Sequence, residues 1–428
     1  MTRDHSRLPY IDAMRGCAII MVILVHTSQA VAGLSPVARG LAWAGQMGVQ
    51  LFFLASAYSL CFVQDQQRQD QNATLRFCVR RYFRIAPLYY VAIAFYGLIA
   101  VISAPDGIWA HRSDYTGTAI AANTLLIHGF VERANNTIVP GGWSIGTEVA
   151  FYLLFPLLWN FVRRNKEECP RRAVFNRTLG LLFAALALST LYAAWQSAHG
   201  APVSNNSFAY FSIVNQLPVF LLGMLAYSLW PRRSDHARFP FGALLLLSLF
   251  AVISSVLVAA HAPFAFSVLP VTCGLAFMQL LRILRSLPEI RWLQAIGQQS
   301  YSLYIFHFVF AWHLSKAMGG MVGARIPADA LWLILACVAI AGSYVIALVF
   351  GSPIEKLGIA CGRIVAARLP RTVGPASMAD GARPLVAAGT GLAHARRREL
   401  PEIRRPLPAV LTPFMVSPRK SGEQTLDK

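Results

Sequence analysis

The stretch IDAMRGCAIIMVILVH, residues 11–26, is an apolar run with one arginine near its start and one histidine at its end. In a helix, eleven steps of about 100° return to within about 20° of the start, so Arg15 and His26 share one face. At about 1.5 Å per residue they lie about 16.5 Å apart along the axis. Ionisable side chains inside a membrane span usually face a bundle interior or a watery cavity. The stretch therefore predicts a membrane helix that lines a chamber.

The composition of the 428 residues is typical of a polytopic membrane protein, with 56% hydrophobic residues, 13% charged residues and a mean hydropathy of +0.50. Globular proteins usually contain about 25% charged residues. The first apolar run has no small-residue cleavage site, so we expect a retained span and not a removed signal peptide. The seven cysteines show no CxxC or Cys/His spacing, which argues against a disulfide framework or a metal site.

The hydropathy pattern predicts an all-α helical bundle of about ten membrane spans, because ten apolar segments are each about long enough to cross a bilayer. They lie near residues 11–33, 42–63, 85–103, 143–162, 178–196, 211–230, 241–260, 265–283, 292–314 and 330–350. The loops on one side hold 17 Lys or Arg residues and those on the other side hold five. By the positive-inside rule, both termini and the basic loops are cytoplasmic. The net charge of +19 is therefore explained by topology, and no nucleic-acid partner is expected.

Two segments outside the ten spans have distinct compositions. Ala119 to Phe130 is weakly apolar, which suits an interfacial or re-entrant helix. From residue 362 onward the chain is basic and proline-rich, a makeup that cannot bury enough apolar surface to order itself. We expect a membrane domain over 1–361 and a disordered cytoplasmic tail over 362–428, which either contacts anionic lipid or has no function of its own.

Five stretches, taken together and in order, resemble the acyltransferase 3 family of membrane proteins. The Arg15 to His26 spacing matches the family's first helix. The other matching stretches are GVQLFFLASA at 48–57, RRYFRIAP at 80–87, WSIGTE at 143–148 followed by FYLLFP at 151–156, and SYSLYIFH at 300–307. A displaced version of the closing family motif, PIEK, follows at 353–356. The chain departs from the family pattern at Gln50, Ala57 and Val149, where an acid, a glycine and a second glutamate are usual.

The resemblance implies transfer of an acyl group, commonly acetyl, from a cytoplasmic thioester to a hydroxyl beyond the membrane. Arginine suits phosphate because its planar fork donates two parallel hydrogen bonds. Arg81 and Arg84 lie on one helix face. With Arg15 they would form a cationic rim that holds the phosphates of acyl-CoA, the expected donor substrate. No permanently bound cofactor or metal is implied.

His26 is the expected general base on the acceptor hydroxyl, because the imidazole pKa lies near neutrality. Glu148 is expected either to orient His26, as in a triad, or to bind sugar hydroxyls. The expected acceptor contacts are Trp143, Ser144, Tyr152, Tyr301, Tyr304 and His307. Direct transfer in a ternary complex is the preferred mechanism, and an acyl-His26 relay is the alternative.

The expected acceptor is a surface or exported glycan, at the plasma (inner) membrane of a bacterium. The resemblance leaves a macrolide-like small molecule or peptidoglycan as alternative acceptors, and the sequence does not predict an oligomeric state. Two other function classes fit polar residues inside a bundle: a solute transporter and a non-catalytic partner in polysaccharide export. Transport does not need the arginine rim and releases no CoA.

Overall fold

A computed structural model describes residues 8–66, 73–102, 114–164, 169–230, 239–259, 265–315, 317–318 and 326–369. Every regular element in these ranges is helical. The helices, numbered in chain order, are α1 (Pro9–Ser28), α2 (Pro36–Ala44), α3 (Gly48–Gln66), α4 (Ala73–Ile102), α5 (Gly117–Thr124), α6 (Gly142–Arg163), α7 (Arg171–Ala198), α8 (Phe208–Phe211), α9 (Ile213–Leu229), α10 (Phe241–Ala259), α11 (Ala265–Ser286), α12 (Arg291–Gln298), α13 (Ser300–Phe308), α14 (Ala328–Ile346) and α15 (Ser352–Arg368). Two π-helical segments, Val309–Leu314 and Ala347–Gly351, follow α13 and α14.

Among the described residues, eight helical stretches are long and apolar enough to cross a membrane. They are Pro9–Ser28, Pro36–Gln66, Thr74–Ile102, Gly142–Arg163, Arg171–Ala198, Phe208–Leu229, Ala265–Ser286 and Ala328–Arg368. The other two predicted spans are present as shorter pieces. The span predicted at 241–260 corresponds to α10, which is described from Phe241 to Ala259, and the span predicted at 292–314 corresponds to α12, α13 and the first π-helical segment. The chain is thus an all-α, multi-pass membrane protein, as its composition predicts.

The predicted span at 292–314 is interrupted at Gln299. Gln299 lies between α12 and α13 with φ −98° and ψ 6°, outside the helical region. The segment after Phe308 then widens into π-helix, a feature that often occurs at functional sites. The interruption leaves α13 as a short helix, and His307 is in its last turn.

Helix α1 is the centre of the bundle, since it packs against α3, α11, α12, α13 and α14. Its backbone approaches that of α12 very closely. A Cβ on Gly297 would collide with the carbonyl oxygen of Asp12, and a Cβ on Gly16 would collide with the carbonyl oxygen of Leu293. The two glycines therefore permit a contact that any larger residue would prevent.

The start of α6 is fixed by backbone geometry that suits glycine. Gly141 precedes the helix with φ +73°, in the left-handed region. One turn later, a Cβ on Gly146 would lie 2.7 Å from the Cα and N atoms of Gly129. The loop before α6, which contains the short helix α5, thus rests directly on the α6 backbone. The predicted interfacial segment at 119–130 is this α5 helix and the turn that follows it.

Contacts divide the chain into Met1–Ser377 and Met378–Lys428, and all described residues belong to the first unit. Helix α15 continues past the predicted domain boundary at 361 and ends at Arg368. The rest of the predicted tail, from residue 370 onward, lies outside the described residues.

Candidate active site

Two histidines from different helices meet near one end of α1. The His26 Nδ1 atom lies 3.1 Å from the His307 Nε2 atom and 2.8 Å from the carbonyl oxygen of Val22. The His307 Nδ1 atom lies 2.8 Å from the carbonyl oxygen of Tyr304. His307 is fully buried, whereas His26 is half-buried. The pair is therefore anchored to backbone on both sides.

These contacts fix the tautomer of each neutral ring. A carbonyl oxygen can only accept, so the Nδ1 atoms of His26 and His307 must both carry a proton. The His26 N–H is then shared between the Val22 carbonyl and the unprotonated Nε2 of His307. The Nε2 atom of His26 is left as a lone pair, which is the state that a general base requires.

A cavity of about 400 Å³, the histidine cavity, lies beside His26. Aromatic side chains and uncharged polar side chains line it, and no charged residue of the described chain is among them. The polar members are Gln29, Gln46, Asn136, Thr137, Asn205 and Asn206. The aromatic members are Trp143, Tyr210, Phe211, Tyr304, Phe308 and Trp312. This combination suits a neutral ligand that is rich in hydroxyl groups.

Trp143 is mostly buried, and its indole stacks on Phe211 with ring centroids 4.2 Å apart. One face of this predicted sugar contact is therefore already covered. Ser144 donates to the Tyr304 hydroxyl at 2.8 Å, and the Tyr304 hydroxyl donates to the Gly141 carbonyl at 3.0 Å. The chain thus holds Tyr304 in place at the edge of the histidine cavity.

A small middle cavity of about 70 Å³ contains Glu148. The Oε1 atom of Glu148 accepts hydrogen bonds from the hydroxyls of Ser56 at 2.6 Å and Tyr152 at 2.5 Å. The Nδ1 atom of His26 already contacts the carbonyl oxygen of Val22 and the Nε2 atom of His307. Glu148 is therefore not placed as the orienting acid of a triad. The carboxylate faces the middle cavity instead.

A third cavity of about 460 Å³, the arginine cavity, contains all three predicted arginines. Arg15 donates to Ser59 at 3.1 Å, and the Arg81 guanidinium lies 5.6 Å from the ring centroids of Phe77 and Tyr152. Arg84 makes no hydrogen bond or ion pair to another residue in the described part of the chain. The arginines thus present cationic donors to one common space.

The three cavities form a row because neighbours share wall residues. The arginine and middle cavities share Arg15, Arg84, Ser300 and Tyr301. The middle and histidine cavities share Val49 and Tyr304. Helix α1 runs beside the row, with Arg15 at one end and His26 at the other. Adjoining cavities therefore extend from the arginines to the imidazole.

Several of the predicted acceptor contacts, Tyr152, Tyr301 and His307 among them, do not line the histidine cavity. His307 is not among the residues that line the three cavities, and its Nε2 atom contacts the Nδ1 atom of His26 instead. Tyr301 lines the middle and arginine cavities, and its hydroxyl donates to the carbonyl oxygen of Ile85 at 2.9 Å. Tyr152 is likewise in the middle cavity, beside Glu148. The predicted contacts are thus distributed along the whole row.

Several site residues have contacts that the motifs containing them do not predict. Ser56 holds Glu148, and Glu355 lines the arginine cavity while it accepts a hydrogen bond from Ser302. Gln50, which stands where related sequences usually have an acid, is buried and donates to Tyr210 at 3.0 Å and Gln216 at 3.2 Å. The matching motifs indicated the regions, but only the packing shows these partners. Among the described residues, no group of three or more His, Cys, Asp or Glu side chains could hold a metal ion.

Comparison with known proteins identifies the family of the chain. A family model described as an acyltransferase domain matches residues 8–351. The chain is 26% identical over 407 residues to the acyltransferase MdmB of Streptomyces mycarofaciens, an alignment that covers 89% of this chain and 98% of that protein. No solved structure matches the chain.

Two relatives carry names that refer to O-acetyl transfer. The chain is 25% identical over 341 residues to the peptidoglycan O-acetyltransferase OatA of Listeria monocytogenes, which covers 72% of this chain and 50% of that protein. It is 26% identical over 251 residues to the O-acetyltransferase OatA of Staphylococcus aureus, with coverage of 54% and 37%. The alignments thus span half or less of these two proteins.

Proposed function

The chain belongs to the acyltransferase family that this domain model describes, and from that premise we propose that it moves an acyl group from cytoplasmic acyl-CoA to a glycan hydroxyl across a bacterial plasma membrane. The observation that carries the proposal is the row of cavities between the three arginines and the free Nε2 atom of His26. Donor and acceptor would enter from opposite ends and meet beside the imidazole.

The donor half of the proposal is supported by charge. Arginine forks bind phosphate through paired, charge-assisted hydrogen bonds. Arg15, Arg81 and Arg84 all line the arginine cavity, which lies at the end that the loop charges assign to the cytoplasm. The phosphates of CoA would bind there, and the pantetheine arm would extend along α1. Glu148 would then accept a hydrogen bond from an amide N–H of that arm.

The chemical step uses His26 as the base. Its Nε2 lone pair takes the proton of the acceptor hydroxyl while the hydroxyl oxygen attacks the thioester carbonyl. The C–S bond then breaks, CoA leaves as a thiolate, and the imidazolium returns the proton to sulfur. The carbonyl contacts at both Nδ1 atoms support this assignment because they leave Nε2 unprotonated.

His307 acts in this mechanism as a positioning residue. Its Nε2 atom accepts from the Nδ1 proton of His26 and would stabilise the imidazolium that forms after proton transfer. Replacement by Gln keeps an acceptor near that position, whereas replacement by Phe removes it. We expect His307→Phe to lower kcat by about tenfold, the worth of one hydrogen bond to a charged group, and His307→Gln to restore much of the rate.

The acceptor half is supported by the lining of the histidine cavity. Carboxamides and aromatic rings bind neutral, hydroxyl-rich ligands, since a few placed polar groups orient a ligand in an otherwise apolar pocket. A glycan fits this chemistry better than a charged small molecule. The name of the Listeria relative, a peptidoglycan O-acetyltransferase, points in the same direction.

The decisive experiment uses membranes that contain the protein, labelled acetyl-CoA and a host glycan extract. We expect free CoA and base-labile label on glycan from the native chain, and a loss of at least 100-fold in His26→Ala. His199→Ala is the matched control, because His199 is exposed and outside the cavity row. Equal transfer by the native chain and His26→Ala would refute the assignment of the base.

The same assay separates the two alternative classes. A solute transporter would accumulate its substrate without stoichiometric release of CoA. A non-catalytic partner in polysaccharide export would support export equally well with His26→Ala. Release of CoA that depends on both acceptor and His26 is expected only from the acyltransferase.

A further inference from the structure

A fourth cavity, the distal cavity, adjoins the histidine cavity on the side away from the arginines. Its volume is about 370 Å³, and Arg39 and Trp43 of α2 are among its lining residues. The two cavities share the wall residues Gln29, Gln46 and Asn205. Each volume is within the range of about 300–1,000 Å³ that is usual for small-molecule pockets. The acceptor side of the bundle therefore has two adjoining cavities, each of ligand size.

The shared wall carries polar groups that lack a protein partner. The Nε2 atom of Gln46 is buried and makes no hydrogen bond in the described part of the chain. The Oε1 atom of Gln29 accepts from the indole N–H of Trp312 at 3.1 Å, so the two amide protons of Gln29 are left for another acceptor. Gln29 is exposed, so water reaches its amide protons, whereas the buried Nε2 donor of Gln46 is unsatisfied at a cost of about 1–3 kcal/mol. A ligand with oxygen acceptors at the junction of the two cavities would bind both carboxamides.

The side chains of the distal cavity suit a saccharide ring. Trp43 is half-buried and offers a flat aromatic surface, and the exposed Arg39 donates to the Leu34 carbonyl at 3.0 Å with other N–H groups remaining. His26 is not among the distal lining residues, so the cavity can bind but cannot perform the chemistry. Binding energy from such remote groups is used to position the reacting centre.

We propose that the acceptor binds as an oligosaccharide of at least two rings, with the reacting ring in the histidine cavity and its neighbour in the distal cavity. This inference rests on the proposed function and specifies the acceptor of the same site. The glycosidic linkage crosses the shared wall, where the carboxamides of Gln29 and Gln46 bind its oxygen atoms. Trp43 and Arg39 contact the second ring.

The test compares two neutral probes, methyl β-N-acetylglucosaminide and the disaccharide N,N′-diacetylchitobiose (called chitobiose below), in binding to the detergent-solubilised full chain and in acetyl transfer. We expect chitobiose to bind about tenfold more tightly, because it reaches both cavities. Trp43→Ala and Arg39→Gln, at positions that line the distal cavity and not the histidine cavity, should each reduce this preference about threefold or more and leave binding of the monosaccharide within twofold. Arg39→Gln also guards against misfolding of the Trp43 variant, because it replaces an exposed side chain, and each variant is required to elute as a monodisperse protein.

Trp195→Ala is the matched control, because Trp195 is 55% exposed and outside all four cavities. Equal binding of the two probes would overturn the inference, as would failure to bind either probe or an equal loss for both probes in Trp43→Ala. Binding is measured without acyl-CoA, so it is independent of the chemical step. Selective binding of chitobiose without any transfer would contradict the proposed function and leave the second subsite supported.

Discussion

Arg84 provides the sharpest test of the donor site, because it lines both the arginine cavity and the middle cavity. Its guanidinium makes no hydrogen bond or ion pair to another described residue, so its donors are available to a ligand. A hydrogen bond to a charged group contributes about 1.5–3 kcal/mol, which corresponds to about 10- to 150-fold in affinity. Arg84 is half-buried, and water screens part of this attraction. We therefore expect Arg84→Gln to raise KM for acetyl-CoA by about tenfold.

The assay compares acetyl-CoA with S-acetyl-pantetheine, which has the same thioester but lacks the nucleotide phosphates. KM for S-acetyl-pantetheine should change by less than about twofold in Arg84→Gln, because no phosphate contact is lost. Arg80→Gln is the matched control, since Arg80 belongs to the same helix and lines none of the cavities. An equal rise in KM for both donors would show that Arg84 maintains the structure and does not bind phosphate.

Three further predictions concern the row of cavities and the residues that hold the fold around it. Glu148→Leu should lower the rate more than Glu148→Gln, because only the glutamine keeps an acceptor for Ser56 and Tyr152; steady-state kinetics in membranes test this. Gly146→Ala should destabilise the protein by about 1–3 kcal/mol, because the added Cβ clashes with the Gly129 backbone. Gly180→Ala should not destabilise the protein, because open space surrounds Gly180. Thermal unfolding in detergent measures both effects. Burial lowers the pKa of His128 to about 4, so below pH 6.5 the unfolded chain binds more protons than the folded chain. The free energy of unfolding should therefore fall by up to about 3 kcal/mol between pH 6.5 and pH 4. This fall should be smaller in His128→Gln.

The membrane architecture follows from hydropathy alone, because a span needs only a long apolar helix. The pattern around Arg15 and His26 predicts a helix that faces a chamber, and α1 is packed on several sides with both residues beside cavities. Two spans are exceptions: the one predicted at 241–260 corresponds to a shorter apolar helix, and the one predicted at 292–314 is divided at Gln299, where the backbone leaves the helical region. An averaged hydropathy window does not register such a short break.

The partners of the site residues could not be predicted, because they depend on how distant helices pack. Nothing in the spacing of SYSLYIFH indicates that His307 contacts His26 and does not line the histidine cavity. Ser56 and Glu148 are 92 residues apart in sequence, and neither position identifies the other. Gln46 is an ordinary polar residue in the sequence and becomes notable only because its Nε2 atom is buried without a hydrogen-bond partner in the described part of the chain.

The polarity of the cavity row changes from one end to the other in a way that suits the proposed reaction. The arginine cavity is lined by cations and carboxylates, while the histidine cavity is lined by neutral amides and aromatic rings. A charged donor head would therefore be retained at the first end, since its phosphates would find no counter-charge at the second. Only the uncharged thioester arm could extend through the middle cavity of about 70 Å³. The same asymmetry would admit a neutral acceptor to His26 and keep the phosphates of CoA in the arginine cavity. Transfer across the bundle would then require no movement of these phosphates.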